Sequence, residues 1–110
     1  MKLLIVGRNS QMLAQLKHML QPVLPLAEMH LVLTLKKAAA ALSAYSYGEN
    51  DVVVLHMSAH QDYLQRSTTR DIEVFSRGVT DRSCALYSYD GRAKKASQVV
   101  TEVGITVKSF

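Results

Sequence analysis

The sequence predicts an α/β domain built on an open, mostly parallel sheet, with five strands alternating with four helices through right-handed crossovers. Three observations carry this. Short apolar runs rich in β-branched residues, above all Val52-Val53-Val54-Leu55, lack polar alternation, as strands do when both faces are covered. Between these runs lie stretches with apolar residues at helical spacing. The changeovers fall at Gly, Pro, Asn, Ser or Thr, residues that cap or end helices.

Taken in order, Lys2–Val6 is the first strand and Gly7 ends it. Asn9 or Ser10 caps a helix carrying Met12, Leu13, Leu16, Met19 and Leu20 on one stripe, which Pro22 and Pro25 stop. Met29–Leu33 is the second strand. Thr34 caps a second helix, alanine-rich from Lys36 to about Tyr47 and closed by Gly48. The third strand is the run Asp51–Ser58, which brings His56 to its carboxyl end. From Ala59 to Arg82, Tyr63, Leu64, Ile72, Val74 and Phe75 predict one helix, or a loop followed by a helix, with Gly78 as its stop. Ser83–Ser88 is the fourth strand and Asp90-Gly91 a turn. Ala93, Ala96, Val99, Val100 and Val103 stripe the fourth helix, Gly104 ends it, and Ile105–Lys108 is the fifth strand.

A chain of 110 residues is one domain, long enough to bury a core, and 48% hydrophobic with 20% charged residues is ordinary for a soluble globular protein. The single cysteine, Cys84, excludes an internal disulfide framework and points to a reducing, cytoplasmic compartment. Leu3–Val6 is too short for a signal peptide, and nothing reaches the roughly 18 apolar residues of a membrane span. A net charge of +4, without a basic run or aromatic stripe, gives little support for direct nucleic-acid binding. There is no G-x-G-x-x-G, Walker motif, zinc-ligand spacing or nucleophile elbow, so no catalytic, cofactor-binding or metal residue is assigned. His18, His30 and His60 lack metal-ligand spacing, while Cys84 and the methionines at 12, 19 and 29 fit core positions.

With these residues in place, the chain resembles the receiver domain of bacterial two-component response regulators, over its full length. The third strand of that family reads Asp, four apolar residues, then the Asp that accepts a phosphoryl group. Asp51 to Leu55 match this form, and His56 stands where the acceptor would be. Ser88 matches the Ser or Thr ending the fourth strand, and Lys108-Ser109-Phe110 matches the closing Lys-Pro-Phe with its proline replaced. The acidic pair after the first strand is replaced by Gly7 and Arg8. The resemblance implies a flavodoxin-like three-layer sandwich with a five-stranded parallel sheet in the order 2-1-3-4-5. The family's final helix is missing after Phe110, so the chain is expected to be the N-terminal domain of a longer protein.

The departures have a physical consequence. Magnesium needs hard oxygen ligands and acyl-phosphate formation needs an aspartate nucleophile. Gly7, Arg8 and His56 supply neither, so a degenerate pseudo-receiver without cofactor, metal or enzymatic activity is expected. His56 can simply fill the former pocket. Alternatively Arg8, His56 and Lys108, with Ser88 beside them, form an anion or acidic-peptide pocket, since unanswered cations repel. Phosphorylation of His56 itself is a third reading, with no phosphotransfer helix nearby to favour it.

The implied function is a phosphorylation-independent signalling module that binds a protein partner or itself through the last helix and fifth strand. Arg92, Lys94 and Lys95 form the basic end of that surface, and Tyr87 and Tyr89 fit packing roles. Relatives of this kind precede transcription activators, or ATPases that position pilus or secretion machinery. Nucleic acid would then be met only indirectly, through such an output domain. The rival reading is a small flavodoxin-like domain that binds an anionic ligand at the Gly7–Ser10 loop, where backbone N–H groups at a helix start suit phosphate.

Overall fold

Lys2–Val6 forms β1, and Leu3, Leu4, Ile5 and Val6 within it are wholly buried. Their side chains alternate between two cores, Leu3 and Ile5 on one face of the sheet, Leu4 and Val6 on the other. Burial of each such side chain stabilises the fold by roughly 1.5–3 kcal/mol, which makes β1 the hub of the domain. The computed structural model describes residues 1–7, 9–56 and 68–89, the last two by backbone alone.

The remaining elements are α1 (Ser10–Leu20), β2 (Glu28–Val32), α2 (Leu35–Ala44), β3 (Val52–His56), α3 (Thr69–Asp81) and β4 (Ala85–Tyr89). All strand pairs are parallel and the order across the sheet is β2-β1-β3-β4. Leu13, Leu16 and Leu20 of α1 pack over Leu3, Ile5, Val52 and Val54. On the opposite face, α2 and α3 bring Leu35, Ala38, Leu42, Phe75 and Val79 onto Leu4, Val6 and Val53. The architecture is a parallel α/β sheet between helical layers, compatible with a flavodoxin-like fold. Among the described residues the sheet has four strands and three helices accompany it, against an expected five and four. The expected fourth helix and fifth strand, and the polar stretch before Thr68, lie outside the described residues. No described helix is long and apolar enough to cross a membrane.

Local signals explain most element ends. Asn9 caps α1 by accepting from the Met12 N–H at 2.9 Å, and Thr34 caps α2 by accepting from Lys37 at 3.1 Å. Thr68 and Asp71 form a reciprocal capping box at the start of α3.

Two glycines behave differently from expectation. Gly48 does not close α2. The helix ends at Ala44, and Ser46 takes the left-handed conformation beyond it (φ 53°). Gly78 does not stop α3 but lies inside it, and Ser83 is the left-handed residue after the helix (φ 57°). The reason at Gly78 is proximity. A Cβ there would stand 3.3 Å from Leu42 Cδ1, so the missing side chain lets α3 approach α2.

Candidate functional site

In open parallel sheets, ligands bind beyond the carboxyl ends of the strands, where successive connections leave in opposite directions. Here β1 leads to its neighbour β2 on one side, and the chain then crosses to β3 on the other. The switch therefore lies between β1 and β3, held in register by the Val6–Leu55 pair. The residues just past that pair are Gly7 and His56, both buried.

The space beside Gly7 is apolar and full. A Cβ built on Gly7 would meet Leu13 Cδ2 at 2.4 Å and Leu13 Cγ at 3.0 Å, with the His56 Cβ at 3.7 Å. Leu13 is only 1% exposed, locked in the core under α1, so it has little room to move away. Leucine thus occupies the space that any side chain following β1 would need. One backbone donor of the Gly7–Ser10 loop and one in the first turn of α1 are also engaged. The Gly7 N–H donates to the Val32 carbonyl at 3.1 Å, and the Met12 N–H donates to Asn9.

Of the expected pocket residues, the structure brings together Gly7 and His56. Ser88 lies in β4 in register with Leu55, one position short of the His56–Tyr89 pair. Arg8 and Lys108 lie outside the described residues, as do Arg92, Lys94 and Lys95 of the expected partner surface. Among the described residues no three His, Cys, Asp or Glu side chains converge as metal ligands.

A polar cluster that sequence reasoning missed sits at the opposite, amino-terminal end of the sheet. Asp51, just before β3, is 6% exposed. Its carboxylate accepts from the Lys2 N–H at 2.7 Å and the Gly48 N–H at 2.8 Å, and the Lys2 Nζ lies 3.2 Å away. Burial pushes this carboxyl up, but the two backbone donors and the Lys2 ammonium outweigh it and hold the group below its ordinary value. Asp51 so ties the first residue of β1 to the start of β3.

Beside it, the Nδ1 of His30 and the hydroxyl of Tyr47 share a hydrogen bond of 2.7 Å. The His30 ring stacks on Tyr45 with centroids 3.8 Å apart, and its Nε2 lies 3.8 Å from Glu28 Oε1. Lys2 Nζ sits 5.6 Å from the centre of the Tyr47 ring. Burial, then the charges of Asp51 and Glu28, push the Tyr47 phenol well above its ordinary value, so it keeps its proton. Burial likewise pushes up the thiol of Cys84, which packs half-buried against the core. Together the contacts of Asp51 and Tyr47 clasp the start of β1 to β3, β2 and the segment after α2. Compared with protein-family models, curated proteins and solved structures, the chain matches none.

Proposed function

We propose that this chain is a receiver-like interaction module that works by contact, without phosphoryl transfer and without an enzymatic step. The observation that carries the reading is Leu13 filling the space beside Gly7, next to buried His56, at the switch point of the sheet. A receiver would present carboxylates there to magnesium. An apolar side chain locked against the β1 terminus leaves no room for one at position 7. The observed order β2-β1-β3-β4 supports the reading, because it is the order of the first four strands in the receiver arrangement 2-1-3-4-5. In this account the module meets its protein partner, or a second copy, through the last helix and fifth strand with Arg92, Lys94 and Lys95. It regulates or localises an attached output domain such as a transcription activator or a pilus- or secretion-positioning ATPase in the bacterial cytoplasm.

The test is incubation of the full chain with magnesium and acetyl phosphate, followed by intact-mass measurement. The expected result is an unmodified chain. A phosphoryl adduct, on His56 or elsewhere, overturns the reading.

A further inference from the structure

We infer that the outer face of α3 is a self-recognition surface, on which a second copy of this chain docks antiparallel. The inference goes beyond the receiver-like reading and does not rest on it, because it uses a helix that reading leaves idle. Phe75 and Val79 anchor one side of α3 in the core. Away from them, Arg70, Glu73, Val74, Arg77, Gly78 and Asp81 line a shallow groove of about 400 Å³. Val74 is 50% exposed within it, an apolar side chain set among four charges.

The order of those charges along the helix is plus, minus, plus, minus, and none of the four is ion-paired among the described residues. A parallel copy would set like charge against like. Turning the second helix end for end about a two-fold axis near Phe75 and Ser76 instead brings opposite charges nearest to one another. Arg70 then stands level with the partner's Asp81, and Glu73 stands within about one residue's rise, ~1.5 Å, of the partner's Arg77. The contact is isologous, so each pair occurs twice.

The same pattern argues against other occupants. The four charges sum to zero, which suits neither a polyanion such as nucleic acid nor a uniformly acidic or basic peptide. A face of one short helix is smaller than a standard interface, so the expected dissociation constant is on the order of 0.1 mM. Added salt should weaken the association.

Sedimentation velocity on the full chain at rising concentration tests this. Self-association is expected, and Arg77→Glu and Glu73→Arg, each at an exposed position, should weaken it about tenfold apiece. An equimolar mixture of the two variants should associate again, because the carboxylate introduced in one then faces the guanidinium introduced in the other. A Lys94→Glu/Lys95→Glu variant should associate like the parent. Three results would overturn the inference: a monomer up to about 1 mM, association that ignores both single charge reversals, or variants that fail to recover on mixing. Loss of association in the Lys94→Glu/Lys95→Glu variant, with α3 intact, would also move the surface elsewhere.

Discussion

The filled space beside Gly7 can be probed by adding back a single methyl group. In Gly7→Ala the new Cβ lies 2.4 Å from Leu13 Cδ2 and 3.0 Å from Cγ, well inside contact distance. Leu13 is buried among Leu16, Leu3 and Ile5, so it must leave its rotamer or push α1 outward. Overpacking of this kind costs about 1–3 kcal/mol, offset by about 0.4–1 kcal/mol from the stiffer unfolded chain. A net loss of about 1–2 kcal/mol is expected in urea denaturation. Leu13→Ala alone should cost about 2–5 kcal/mol by opening a cavity. In the double variant the methyl added at position 7 enters space that Leu13 vacated, so the combined loss should fall short of the sum by about 0.5–1.5 kcal/mol. A neutral Gly7→Ala, or two losses that simply add, would refute the claim that Leu13 stands where a side chain at position 7 would go.

Other expectations concern the opposite end of the sheet. Asp51→Asn should destabilise by about 2–4 kcal/mol, because an amide cannot serve the two backbone donors and the Lys2 ammonium alike. Because the folded carboxyl titrates below its ordinary value of 3.8, its contribution is complete above that value and is lost as pH falls through the lower, folded one. Acid denaturation curves of the parent should steepen in that range, and those of Asp51→Asn should flatten. Tyr47→Phe removes the hydrogen bond to His30 and should cost about 1–2 kcal/mol in thermal or urea unfolding. In an alkaline absorbance titration, Tyr47 should resist ionisation while the chain is folded, and Tyr47→Phe should lose that late-titrating component.

Most of the described fold is legible because its signals are local. The uninterrupted apolar runs of β1 and β3 announce burial on both faces, and Asn9 and Thr34 cap the helices the sequence assigns to them. Glycine misleads where its use is tertiary. Gly78 looks like a helix stop, yet what selects it is Leu42 on another helix. Left-handed backbone falls instead to Ser46 and Ser83, which no composition rule singles out. The Thr68–Asp71 capping box is written in the sequence as Thr-x-x-Asp, but a polar stretch around it hides the signal.

The site divides in the same way. His56 at the strand terminus follows from the period of β3, but the closeness of Leu13 to Gly7 depends on how α1 lies on the sheet. The clasp of Lys2, Asp51, His30 and Tyr47 joins residues far apart in sequence, so spacing could not reveal it. Asp51 stands out as part of a strand motif, while its partner, the amide and ammonium of Lys2, becomes visible only once β1 and β3 lie side by side.

The most direct measurement is a magnesium titration followed through the backbone amide resonances of Gly7 and His56. A pocket closed by leucine and lined by histidine should leave both unmoved to millimolar metal. Saturable shifts at those two amides, with tight binding by calorimetry, would mean that a working cation site survives there.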